Sequence, residues 1–176
     1  VEPGGRNAAR DMAIFPEMKE PPGSGGINGA TIKLEKNGTI ALHLGSPNCG
    51  QAHETTTAQV AADILGTSPD QISTSIPFDS DLSPWGVAAA NSGNNFHLYD
   101  IGAIHGAAKK LREKVVKLAA HLLNADAAEL TIESGVVQVP GSATKKVTFA
   151  ELGRIAYNNQ HLIPDEMEAG LQATYY

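Results

Sequence analysis

Apolar residues at Ala30, Ile32 and Leu34, and again at Ile40, Leu42 and Leu44, alternate with polar ones at the period of a half-buried strand. A two-residue Asn37-Gly38 turn would oppose Leu34 to Ala41 and put the two apolar sets on opposite faces. A three-residue loop, Lys36-Asn37-Gly38 with Gly38 left-handed, opposes Leu34 to Ile40 and Ile32 to Leu42, so the pattern predicts this hairpin. The period then changes. Thr57, Val60, Ala61, Ile64 and Leu65 follow helical spacing and predict a helix over 54–65 stopped by Gly66. Ile72, Thr74 and Ile76 alternate as a third strand, and strand, helix, strand makes a crossover with parallel strands. Residues 77–99 have no period and read as a long irregular loop. A second helix is expected behind Asp100 as N-cap, carrying Ile101, Ile104, Ala108, Leu111, Val115, Leu118 and Leu122 and ending near Asn124. Leu130–Ile132 and Val136–Val139 predict a small hairpin turning at Ser134-Gly135, and Thr148 to Glu151 is a capping box opening a short helix through Phe149, Leu152 and Ile155.

These elements imply an α+β fold, a two-layer α/β sandwich with a mixed sheet, whose core spans 30–125. Residues 126–176 add the hairpin, the short helix and a C-terminal arm. Residues 1–29 are rich in proline and glycine and read as an extended arm. The chain has 176 residues, 41% apolar and 18% charged, which suits one domain with a real core and excludes wholesale disorder. No apolar run approaches the roughly 20 residues of a membrane span, so no membrane partner is expected. Thirteen basic against nineteen acidic residues give a net charge of -6, without the clustered positive footprint that nucleic acid requires. One cysteine, Cys49, excludes an internal disulfide, a thiolate zinc site and an iron-sulfur cluster in this chain, and fits a cytoplasmic origin. The first residue is Val and the last two are Tyr175-Tyr176, from which a piece of something longer is expected.

Candidate chemistry gathers in two loops. Asn48 to His53 joins a strand to a helix N-terminus, where free N–H groups and the dipole favour an anion. Its glycine spacing matches no nucleotide motif, Glu54 would repel a phosphate placed too close, and an ordinary connecting loop remains the alternative. His53-Glu54 is no zinc motif, because Thr57 stands where the second histidine would be. The other histidines are scattered. Asp79-Ser80-Asp81 and Asn91 to Asn95 are dense in hydrogen-bonding groups, as solvated turns also are. Because strands two and three are expected to be parallel, the loops at 45–53 and 77–99 should share one sheet edge, where ligands collect in open α/β layers.

At those loops the sequence resembles the molybdopterin-binding large subunit of the xanthine dehydrogenase, aldehyde oxidoreductase and carbon monoxide dehydrogenase family. Cys49-Gly50-Gln51-Ala52-His53-Glu54-Thr55-Thr56-Thr57-Ala58-Gln59 is similar to the family's Gln-Gly-Gln-Gly-His-x-Thr-Thr-x-x-Gln segment. Ala61 to Gly66, Asp79-Ser80, Pro84-Trp85-Gly86, Ser92 and Ala107 to Leu111 follow in the family's order. The resemblance implies a molybdenum-cofactor-binding-like core that supplies one wall of the cofactor site of a molybdenum hydroxylase. It implies cofactor contacts at Cys49, Gly50, Gln51, Ala52, His53, Thr55, Asn91, Ser92, Gly93, Asn94 and Asn95, with no catalytic residue and no protein ligand to metal. The cofactor would be molybdopterin as a dinucleotide, shared with the remainder of the molybdopterin subunit, while iron-sulfur clusters and FAD would sit on partner chains or domains. Cys49 replaces the family's Gln or Met, Ala52 replaces a Gly, and Ser92-Gly93 stands where Ser-Arg is frequent. The family's catalytic glutamate has no counterpart here, so the segment alone is expected to be inert. The alternative is a non-catalytic structural or assembly module on the same fold.

Overall fold

The computed structural model describes residues 27–48, 50–75, 84 and 96–176. β1 (Ala30–Leu34) and β2 (Ile40–Leu44) pair antiparallel with Leu34 opposite Ile40 and Ile32 opposite Leu42, the expected register. The loop closes through Glu35 N–H to the Thr39 carbonyl, and Gly38 takes φ +88°. A Cβ on Gly38 would also stand 2.8 Å from the Ala150 nitrogen, so both conformation and packing require glycine there. Alternation buries Ala30, Ile32, Leu34, Ile40, Leu42 and Leu44 on one sheet face.

α1 (His53–Leu65) carries the chain over that face to β3 (Ile72–Ser75), which runs parallel to β2 as the crossover demands. Gly66, left-handed at φ +66°, ends α1 with its N–H on the Ala62 carbonyl. The buried stripe of α1 is rotated from the predicted one. Ala58 and Ala62 are buried with Thr57, Ala61 and Leu65, while the larger Val60 and Ile64 are half-buried at its margins. Small residues face α2 (Ile101–Leu123) because the two helices pack against each other as well as on the sheet. In α2, Ile104, Ala108, Leu111, Val115 and Leu118 are buried, and left-handed Asn124 (φ 47°) caps its C-terminus.

Three sequence expectations need correction. Asp100 is not an N-cap: its backbone is helical (φ -70°, ψ -44°), because a π-helical turn over Phe96–Asp100 runs into α2. Of the loop expected over 77–99, residues 96–99 are therefore helical, and 77–83 and 85–95 lie outside the described residues. Secondly, the small hairpin of β4 (Thr131–Glu133) and β5 (Val136–Gln138) gains a third strand, β6 (Lys146–Thr148), whose single apolar residue gives no readable alternation. The predicted capping box then opens α3 (Phe149–Asn158), with both Thr148–Glu151 bonds made. Thirdly, the C-terminal arm contains β7 (Gln172–Tyr175), which pairs antiparallel with β1 and completes a mixed sheet of order β3-β2-β1-β7. β7 is a sheet edge, and its outward carbonyls at Gln172 and Thr174 accept from Lys114 and Lys110 of α2 at 2.9 and 3.2 Å. The expected two-layer α/β fold with a mixed sheet is thus present. Ile76 and residues 1–26 lie outside the described residues. Among the described residues no helix is long and apolar enough to cross a membrane.

Candidate functional site

The site is built where β2 ends. Gly45 donates its N–H to the Gly29 carbonyl at 2.9 Å, and a Cβ on it would stand 2.6 Å from the carbonyl oxygen of Pro84. Only glycine lets the second loop pass this close to the first, so the two loops do converge at the shared edge. Ser46, 1% exposed, donates its hydroxyl to Asp100 Oδ1 at 2.6 Å, and Asn28, 2% exposed, donates its amide to Asp100 Oδ2 at 2.8 Å.

From Ser46 the chain rises into an arch. Asn48 organises it: Oδ1 accepts from Gly50 N–H at 2.8 Å, and the side-chain amide donates to the Glu54 carboxylate. Gly50 has φ +119°, and among the described residues nothing lies within 4 Å of where its Cβ would stand. Ala52 is left-handed at φ 55°, and its N–H donates to the Gly50 carbonyl. Gly50, Gln51 and Ala52 are all exposed. The arch returns to the core at His53, whose ring is buried and stacked on Phe96 with centroids 3.6 Å apart and planes 1° from parallel. Thr57 Oγ1 donates to the His53 carbonyl at 2.8 Å, and among the described residues no side chain caps the α1 N-terminus, leaving its first-turn N–H groups to an outside acceptor.

Burial sets the electrostatics. It pushes the Asp100 carboxyl above its ordinary value, opposed by the hydrogen bonds from Ser46 and Asn28 and by nearby His53. Burial likewise pulls His53 below the usual imidazole range, opposed by the charges of Asp100 and Glu54. Among the described residues, two buried atoms here have no partner: Asn28 Oδ1 and His53 Nδ1. Among the described residues, no group of three His, Cys, Asp or Glu side chains is placed to hold a metal ion.

Of the sequence-predicted site residues, Gly50, Gln51, Ala52, His53 and Thr55 lie together on the arch and the first turn of α1. Thr55 is exposed and helps line a cavity of about 460 Å³ between α1 and β3, with Gln59, Asp70 and Thr74. Cys49 and Asn91, Ser92, Gly93, Asn94 and Asn95 lie outside the described residues. A larger cavity of about 740 Å³ between α2 and residues 168–174 is lined by none of the predicted site residues. Sequence reasoning missed the support beneath the arch, namely Asn28, Ser46, Phe96 and Asp100. The one available signal was an aromatic and an acid four residues apart, Phe96 and Asp100, just ahead of the strong apolar stripe of α2.

The family model described as molybdopterin cofactor-binding domain matches residues 8–176. The nicotine 6-hydroxylase large subunit of Paenarthrobacter nicotinovorans is 32% identical over 146 residues, covering 82% of this chain and 17% of that protein. The carbon monoxide dehydrogenase large chain of Afipia carboxidovorans is 30% identical over 150 residues, covering 85% of this chain and 18% of that one. Among solved structures, quinoline 2-oxidoreductase from Pseudomonas putida 86 superposes with a TM-score of 0.71 at 34% identity, covering 86% of this chain and 19% of that chain. Reconstituted CO dehydrogenase from Oligotropha carboxidovorans gives 0.74 at 30%, covering 88% and 18%. The chain thus spans under a fifth of the length of the relatives it matches.

Proposed function

Since the chain belongs to the molybdopterin cofactor-binding domain family, we propose that its arch over residues 46–53 forms one wall of the cofactor site of a molybdenum hydroxylase. The observation that carries this is an exposed arch at the carboxyl edge of parallel β2 and β3, anchored at both ends and open on its outer side.

The residues present fit a pterin carrying phosphate. Gly50 leaves open space that a side chain would occupy, so a flat ligand can approach the backbone. The Gln51 amide faces solvent and can both donate and accept, as a pterin edge requires. The first-turn N–H groups of α1 and the Thr55 hydroxyl offer donors to phosphate oxygens, and the side-chain amide of Asn48 donates to the Glu54 carboxylate, offsetting part of its repulsion of a phosphate. When bound, the cofactor supplies the molybdenum that transfers water-derived oxygen to a carbon centre. This chain's part is to bind and orient it.

On this reading the cofactor is a dinucleotide shared with the remainder of a large subunit, Asn91 to Asn95 add contacts from the second loop, and iron-sulfur and FAD groups sit on partner chains. The relatives named above as a large subunit and a large chain support that assembly. A single cysteine suits a reducing, cytoplasmic compartment.

The test is pterin nucleotide retained per assembled protein. Gln51→Ala removes a side-chain contact that the cofactor would bury, worth about 1–3 kcal/mol, and Gly50→Ala puts a methyl where the ligand would approach the backbone, so occupancy should fall about tenfold or more in each. Melting temperature should barely move in Gln51→Ala, which is exposed, whereas Gly50→Ala also carries the backbone strain of a side chain at φ +119°, so Gln51→Ala is the cleaner reading of the contact. Normal occupancy in both variants would favour a non-catalytic assembly module instead.

A further inference from the structure

Asn28, Ser46, His53, Thr57 and Asp100 are the buried polar and charged residues among those described, and all of them lie at or beneath the arch. Two of them mark the arch's ends. Ser46 opens it and is held by Asp100, while His53 closes it and is held by Phe96. Phe96 and Asp100 are the first and last residues of the same π-helical turn, four apart and so on one helical face. Single π turns within helices are frequent at functional sites.

We propose that this turn is a clamp fixing both ends of the arch, and that Asp100 and Phe96 are positioning residues for the surface Gly50 to Ala52 present. The proposal rests on reading that surface as a cofactor wall. Between the two anchors the described arch residues are exposed or half-exposed, and the arch's own bonds from Asn48 and Ala52 are local. Its height and tilt over the sheet are therefore set at the ends. Asp100 is 0% exposed and accepts from two buried donors, one on the arch and one just ahead of β1, so it ties the arch to the sheet as well as to α2. Removing the carboxylate leaves both donors buried without an acceptor. Removing the Phe96 ring leaves the His53 face unsupported, on a residue whose Nδ1 already lacks a partner.

Amide hydrogen exchange of the assembled protein, read on peptides covering 30–44, 45–53 and 103–123, tests the clamp. Asp100→Ala, Phe96→Leu and Ser46→Ala should speed exchange within 45–53 by about tenfold or more and leave the other two segments within about twofold. Asp100→Asn should restore slow exchange, since its carbonyl can accept from Asn28 while its amide donates to the Ser46 hydroxyl. Exchange rising evenly across all three segments, or unchanged at 45–53, overturns the clamp. Should Asp100→Ala fail to fold, Phe96→Leu and Ser46→Ala carry the same test. Retained pterin in the same samples separates the two readings. Loosened variants that keep full pterin, when Gly50→Ala has lost it, overturn positioning of the cofactor. Full pterin in Gly50→Ala and Gln51→Ala overturns the wall itself, and the clamp then stands on exchange alone.

Discussion

Replacing glycine by alanine inside a helix ordinarily stabilises it by about 1 kcal/mol, and three helical glycines of this protein show where packing reverses that rule. At Gly153 in α3 an added Cβ would stand 2.3 Å from the Glu35 carbonyl oxygen, 3.0 Å from its carbon and 3.1 Å from the Lys36 Cα. Ordinary contact begins at 3.4 Å, so the overlap is about 1 Å, and it is against backbone that cannot rotate away. Sliding α3 is blocked as well, since Gly38 lies tight against Ala150 one turn earlier. The helix must withdraw, and a gap of that size forfeits a quarter to a half of the dispersion energy along the seam of Phe149, Leu152 and Ala156. Overpacking costs about 1–3 kcal/mol, and an overlap this deep against fixed backbone belongs in the upper half of that range, about 2–3 kcal/mol. Offset by the helical preference of alanine, Gly153→Ala should lose about 1–2 kcal/mol net, a fall in melting temperature of about 2–8 °C. Gly102 in α2 has, among the described residues, nothing within 4 Å of its Cβ position and is exposed, so Gly102→Ala should gain about 0.5–1 kcal/mol. Gly106 lies between these cases. Its Cβ would meet the Tyr175 ring at 2.4 Å, but that ring is 41% exposed and can swing out at the expense of its contact with Lys110, leaving stability within about 0.5 kcal/mol. Urea unfolding followed by far-UV circular dichroism, with unchanged slope, measures all three. Gly153→Ala as stable as the parent, or Gly102→Ala less stable, would refute the reasoning.

The remaining expectations concern polar groups. Asp100→Ala should lose about 2–6 kcal/mol, from two stranded buried donors at about 1–3 kcal/mol each, and Asp100→Asn far less, read by the same unfolding curves. Because burial raises the folded-state pKa of Asp100, its contribution is fully present below the ordinary carboxylate value of about 4 and is lost as pH rises through the folded value. Asp100→Asn should therefore gain on the parent as pH rises from about 4, and a pH-independent difference would contradict the buried carboxyl. Thr148→Ala should cost about 1 kcal/mol by opening the capping box of α3. The Thr148 hydrogen bonds hold the Glu151 carboxyl below its ordinary value, so that contribution is present above about 4.5 and lost as pH falls through the folded value. Acid titration of unfolding should show that slope in the parent and a shallower one in Thr148→Ala, which loses the hydroxyl bond but keeps the backbone N–H that is its larger cause.

How much of this was written in the chain itself follows from how far apart the deciding residues lie. Gly38 and the alternation of Ile32, Leu34, Ile40 and Leu42 set the hairpin register, because a one-residue slip would turn one apolar set to the opposite face. The helical spacing before Gly66 and the Thr148–Glu151 capping box are likewise short-range, each physically complete within about a dozen residues, and the parallel crossover follows from the order of strand, helix and strand over 40–75. The exposed half of the site, Gly50 to Ala52 and Thr55, was legible for the same reason: a loop between a strand and a helix start is a local feature. The support beneath it was not. Ser46 and Asp100 are 54 residues apart, Asn28 and Asp100 are 72 apart, and Thr31 meets Thr174 of β7 across 143. Whether an acid before a helix caps it in solvent or lies buried under another loop depends on what the fold brings against it, and an apolar period along one element carries no record of that partner. Gly153 has the same character, since only the approach of the hairpin to α3 makes a residue that weakens a helix the one that fits there.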